Sequence, residues 1–430
     1  MKWDRKLAFF ALLVFAVQAT AAGYDYPFAD PYVATVVGTP HAYRAELPQR
    51  VPVRQHELKV FPDREMPELL WYGDRLRYSV VAQEGEAPLV FSIAGTGASH
   101  TTAKMKLYQQ AFYQAGFHVV SLPSPTHPNF ITSASESSVP GTLAKDSEDL
   151  YHVMELIQKE LDDRVQVSEY YLTGYSLGAA QAAFVTRLDD ERRSFNFSKV
   201  LMLNPPVSLY NSVVILDGML ENNIPGGMDN FNEFYQKLIR KFTEVYVDED
   251  RVEFNDEFLF QVYEHITERG QIPDDSNLAA LIGMAFRISS SNMFFTSDVM
   301  TDFGFIKPKN LRLSSTSSLT DLSKVGVGVR FTDYLNEFLL PFLQKSNPAV
   351  DRQQVIDDAS LKSIEGYLRS NDRIGLVHNA DDVILATGEL EYLRDLFGKR
   401  AKIYPVGGHL GNMEHRDNVA FMVDYFKGAH

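Results

Sequence analysis

The chain has 430 residues, 45% of them hydrophobic and 23% charged, with a formal net charge of −15 and no cysteine. This is the composition of an ordinary globular protein with ample material for a core. It excludes disulfides and thiol chemistry, and its negative charge disfavours nucleic acid and anionic membrane as electrostatic partners.

Lys2, Arg5 and Lys6 precede an apolar run of eleven residues, Leu7 to Val17, and Ala19, Ala21 and Ala22 follow it. A positive flank, a short apolar core and a small-x-small exit predict a secretory signal peptide over 1–22, cut after Ala21 or Ala22. The run is too short to span a membrane, which takes about 20 residues, so no transmembrane helix is expected in the mature chain. Removing Lys2, Asp4, Arg5 and Lys6 takes away a net +2 and leaves −17. An exported chain without cysteine fits a bacterial periplasm. Residues 23–75 carry prolines at 27, 31, 40, 48, 52, 62 and 67 among many aromatic residues. They predict an extended arm without long helices that wraps the core and buries some of its rings.

From Leu76 the pattern alternates. Strands are predicted at Leu76–Ala82, Pro88–Ala94, Phe117–Leu122, Tyr170–Thr173 and Lys199–Asn204. Helices are predicted at Thr102–Ala115 and Leu143–Leu161, the latter with Leu150, Val153, Met154 and Ile157 on one face. Such alternation predicts an α/β protein, a mostly parallel sheet with helices on both faces. Residues 207–369 break the rhythm. Phe231 to Phe242, Phe258 to Ile266 (stopped by Gly270), Leu278 to Phe286 and Leu335 to Phe342 show helical spacing, the last interrupted at Pro341. They predict a helical insertion above the carboxyl ends of the strands, with Ser314–Ser318 as a loop within it. Most of its aromatic stripes are expected to form its own core, while Met293, Phe294 and Phe295 are candidates for lining an apolar pocket.

The chemistry centres on Gly174-Tyr175-Ser176-Leu177-Gly178, between a strand and a helix. In that setting a serine sits on a tight turn with its hydroxyl in the open, and the helix behind it aims N–H groups at developing negative charge. Downstream, a strand over Arg373–His378 leads to Asp381 and Asp382, and a strand over Ala401–Val406 leads to Gly407-Gly408-His409. A helix over Glu389–Phe397 fits between them. With Ser, Asp and His in this order, the acid and the histidine on loops after successive late strands, the chain resembles the α/β-hydrolase superfamily over roughly 76–206 and 370–430.

The resemblance implies Ser176 as nucleophile, His409 as base and Asp382 as the acid that orients it. Asp381 is the alternative acid, since either aspartate fits the usual spacing to a following Val or Ile; the one not used is expected to be a solvated loop residue. It also implies an oxyanion hole from the backbone N–H groups of Thr96 and Leu177, with Ala94 where similar enzymes often carry histidine. His378 is expected to pack at its strand end, and His127 to lie at the pocket rim without chemistry. No metal or organic cofactor is implied. The expected partner is a small ester carrying an apolar group, lipid-like acyl esters included. An acyltransferase using the same residues, and a non-catalytic binding or assembly protein on the same fold, are the alternatives.

Overall fold

The computed structural model describes residues 23–161, 164–237, 240 and 275–428. Eight strands form one sheet: β1 (Val53–Leu58), β2 (Leu76–Val81), β3 (Ala87–Ile93), β4 (His118–Leu122), β5 (Val167–Tyr175), β6 (Lys199–Leu203), β7 (Ile374–Asn379) and β8 (Ala401–Tyr404). Their spatial order is β1-β2-β4-β3-β5-β6-β7-β8. The β1–β2 and β2–β4 pairs are antiparallel, and every pair from β4 to β8 is parallel. The continuous apolar character of the central strands follows from burial on both faces: Phe91, Leu172 and Met202 join one side of the core, whereas Val90, Tyr171 and Leu201 join the other. The helix Leu143–Leu161 covers the first side through Leu150, Val153, Met154 and Ile157, all fully buried. Helices Ala103–Gln114 and Arg416–Lys427 cover the second.

Two features of the arm depart from the expectation of an extended segment. Val53–Leu58 adds an edge strand ahead of the predicted first one; its mostly exposed residues carry no apolar alternation. Pro31–Val37 is a seven-residue helix, with Asp30 accepting the Val33 N–H as N-cap and Gly38 at its end. The expected burial of arm aromatics does occur. Tyr24 packs on Tyr404 and His415 with ring centroids 4.7 and 5.0 Å away.

Between β6 and β7 lies the helical insertion, hereafter the cap. Its centre is the helix Asp275–Thr301, which packs on Leu209–Glu221. The fully buried guanidinium of Arg287 joins them, 2.7 Å from Asp217 and 3.3 Å from Glu221. Two carboxylates and the Val327 carbonyl satisfy this buried cation. The run 331–346 stays helical across Pro341 by opening a π-turn over Leu335–Leu339. Proline has no N–H for the carbonyl one turn back, and the wider turn absorbs the missing bond. Residues 231–237 are helical as predicted. Leu238, Ile239, Phe242 and the stretch from Phe258 to Gly270 lie outside the described residues, as does the predicted signal peptide.

Candidate active site

The elbow between β5 and the helix Leu177–Arg192 is built by close approach. A Cβ on Gly174 would lie 2.3 Å from the Gly178 carbonyl oxygen, and one on Gly178 would lie 2.4 Å from that of Ile93. Only glycines let the helix start this near to β3. Ser176 is thereby held at φ 53° and ψ −125°, a conformation that costs a non-glycine residue on the order of 1–3 kcal/mol. Its N–H donates to Leu203 O at 2.9 Å, and its own carbonyl accepts from Ala179 and Ala180.

The structure brings Ser176, His409 and Asp382 into one hydrogen-bonded line. His409 Nε2 is 3.0 Å from Ser176 Oγ, and His409 Nδ1 is 3.0 and 3.1 Å from the two carboxylate oxygens of Asp382. Asp382 is fully buried. Its oxygens also accept from Asn204 Nδ2 at 2.8 Å and from the Ile384 N–H at 3.1 Å. Burial pushes the Asp382 carboxyl up, but His409, His378 and the Asn204 hydrogen bond outweigh it and hold the group below its ordinary value. Asp382 is therefore a charged acceptor that fixes the imidazole and its tautomer.

Asp381 is not the solvated residue expected. It is half-buried and accepts the Gly407 and Gly408 N–H groups at 3.1 and 2.9 Å, clamping the turn that carries His409. Burial raises its carboxyl, with the Asp382 charge adding to the effect and the two N–H groups opposing it. His378 is fully buried and its Nε2 lies 3.1 Å from Pro205 O. His127 departs from expectation: its Nδ1 accepts the Asn129 N–H and caps the helix Pro128–Ser133, away from the cavity.

The loop after β3 lies beside the serine, where a Cβ on Gly95 would come within 3.2 Å of Ser176 Cβ. The Gly97 N–H, bonded to Thr126 Oγ1 at 2.8 Å, pins that loop. Among the described residues neither the Thr96 nor the Leu177 N–H has an acceptor within the chain. Both remain available to an oxyanion.

A cavity of about 400 Å³ opens over Ser176. Its apolar walls come from Val36 and Val37 of the arm, Leu216, Ile282, Ala285 and Phe286 of the cap, and Ile384 and Met413 of the core. Met293, Phe294 and Phe295 do not line it. Met293 and Phe294 are buried in the cap's own core with Phe295 packed beside them, about two turns further along the helix that supplies Ile282 and Phe286. Periodicity marks a helix as apolar but leaves open which turn faces the cavity.

Sequence reasoning missed Thr35. Its Oγ1 accepts the His409 N–H at 2.8 Å and donates to Pro31 O at 2.6 Å. The Asp30-Pro31 start and the Gly38 stop announce the short helix, but nothing local announces its contact with a residue 374 positions away. Elsewhere among the described residues, Asp25, His415 and Asp417 place three possible metal-ligand atoms within 4.8 Å of one another. Asp25 is already paired there with Arg416 and His415.

The chain matches no family model and no curated protein. It is similar in structure to an esterase of Pyrococcus furiosus (10% identity, 89% of this chain and 97% of that one, TM-score 0.43). It is also similar to an esterase of Butyrivibrio proteoclasticus (11%, 83% and 96%, TM-score 0.36) and to one of two fungal esterases of Rhizomucor miehei (12%, 89% and 85%, TM-score 0.42). The chain's own features define its architecture: the strand order, the serine elbow after β5 and the acid and histidine after β7 and β8. It has the α/β-hydrolase fold, with a helical cap inserted between β6 and β7.

Proposed function

We propose that the protein is an exported serine hydrolase that cleaves carboxylic esters bearing an apolar group. One observation carries this reading: the line from Asp382 through His409 ends on the Ser176 hydroxyl, which opens into a largely apolar cavity. Ser176 Oγ attacks the ester carbonyl while His409 Nε2 takes its proton. The charged Asp382 stabilises the resulting imidazolium, and the Thr96 and Leu177 N–H groups receive the oxyanion. His409 then protonates the departing alkoxide. Water, deprotonated by the same histidine, releases the acid from Ser176.

The cavity walls favour a hydrophobic acyl or alkyl group over a charged one. The positive, apolar and small-residue segments of 1–22 support export, with a periplasmic destination. The test is a series of p-nitrophenyl esters of graded acyl length, run on parent and Ser176→Ala. The reading predicts turnover that rises with chain length and is abolished in the variant. Equal turnover by Ser176→Ala refutes it. Transfer to an added alcohol in preference to water would make the protein an acyltransferase working with the same residues.

A further inference from the structure

The turn that carries His409 has no regular structure to hold it. Gly408 and Leu410 flank the histidine at φ 54° and 65°, so left-handed backbone lies on both sides. It is held from two directions. On the core side, Asp381 accepts the Gly407 and Gly408 N–H groups, and Asn379 Nδ2 donates to Gly408 O at 2.8 Å. On the other side stands the arm. Thr35 Oγ1 accepts the His409 N–H, and Thr39 Oγ1 donates to Gly411 O at 2.8 Å. The approach is tight: a Cβ on Gly408 would lie 2.3 Å from Pro31 O, and one on Gly411 would lie 2.0 Å from Ala34 O. The arm helix and the turn are therefore fitted backbone to backbone. The Thr35 hydroxyl is the arm's direct hydrogen bond to the histidine itself.

We propose that Thr35 is a positioning residue for His409, and that the arm helix Pro31–Val37 thereby completes the active site. The inference rests on the reading of Ser176 and His409 given above. With the Thr35 acceptor removed, the His409 N–H is left without its partner and the turn can rotate on its left-handed joints. The imidazole then loses the alignment between Asp382 and Ser176. Misplacement of a reacting group by about 1 Å costs up to about 100-fold in rate.

Thr35→Val keeps the side-chain shape and deletes the hydroxyl. Thr35→Ser restores the hydroxyl, and Thr35→Ala is a second apolar variant. The expected result is a fall in kcat of about 10- to 100-fold for Val and Ala. KM of Thr35→Val should stay within about twofold, because Val keeps the shape that Thr35 gives to the cavity wall, and Ser should recover most of kcat. Tyr26→Phe is the control. It removes the 2.7 Å bond to Gly38 O at the end of the arm helix and leaves the Thr35 hydroxyl in place, so its loss in kcat should be much smaller than that of Thr35→Val.

An unchanged kcat in Thr35→Val overturns the proposal. So do failure of Ser to rescue, an equal loss in Tyr26→Phe, and failure of both Val and Ala variants to show a native melting transition. Ser176→Ala and phosphonate labelling of the parent are run alongside. If the parent labels at Ser176 and the Thr35 variants are fully active, this inference alone falls. If the parent neither labels nor turns over ester, the functional reading falls and takes this one with it.

Discussion

Replacing Asp382 by asparagine exchanges one oxygen for an NH₂ group in a fully buried position whose shape is kept. Both oxygens now accept: one from Asn204 and His409, the other from the Ile384 N–H and His409. An amide can present only one acceptor, so in either orientation an NH₂ meets a donor. That mismatch should cost stability on the order of 1–3 kcal/mol. The catalytic cost is larger, because the amide cannot balance an imidazolium and favours the tautomer with Nε2–H turned toward Ser176. In serine proteases the same exchange lowers turnover by about 10⁴, roughly 5.4 kcal/mol at 1.36 per decade. Asp381→Asn keeps one acceptor for the Gly407–Gly408 turn and loses the other, which at about 1 kcal/mol predicts a loss of roughly fivefold. The assay is turnover of a p-nitrophenyl ester at pH 8, with thermal melting to show that both variants fold. A loss at Asp381 exceeding that at Asp382, or an Asp382→Asn variant within tenfold of the parent, refutes the assignment of the acid.

Gly178→Ala places a methyl group against the carbonyl oxygens of Ile93 and Ala94, at 2.4 and 2.5 Å, both backbone atoms that cannot swing aside. A stability loss of about 3 kcal/mol is expected in urea denaturation, together with loss of activity. Asp146 is buried, and desolvation raises its carboxyl well above the ordinary value despite the Gly141 N–H it accepts. A carboxyl raised in the folded state binds protons there that the unfolded chain has released, so stability falls as pH rises from about 4. Asp146→Asn should therefore melt higher than the parent at pH 8, with the difference shrinking toward pH 4; a difference that grows on acidification would contradict the assignment. Asp382 works in the opposite sense. Its carboxyl is held below the ordinary value, so its contribution to stability is complete above about pH 4 and is lost as pH falls through the depressed value. Asp382→Asn should remove that part of the parent's acid sensitivity, read from melting between pH 2 and 5.

The core was legible because its signals are local. The helices Leu143–Leu161 and Glu389–Phe397 have the bounds that their apolar spacing predicts, and the buried central strands are short apolar runs between turn residues. The serine elbow was legible for a mechanical reason: two glycines must sit where β3 and the helix nearly touch. What the sequence did not disclose lies in contacts between distant segments. Thr35 belongs to a helix with clear start and stop signals, yet its role arises only where that helix meets the His409 turn. The adjacent Asp381 and Asp382 read alike; in the fold one faces the imidazole and the other the N–H groups of Gly407 and Gly408. The edge strand Val53–Leu58 was missed because its exposed residues carry no apolar period. In the cap, the turn facing the cavity was misjudged by about two helical turns, since Phe286 and Phe294 differ in surroundings and not in type.

The central claim is that Ser176 is the nucleophile, and the direct measurement is covalent capture by a fluorophosphonate followed by mass spectrometry of the intact and digested protein. A single adduct on the peptide containing Ser176 is predicted for the parent, with none on folded Ser176→Ala and much slower labelling of His409→Ala. An adduct at another serine, or ester turnover that persists in a parent that never labels, would contradict the account.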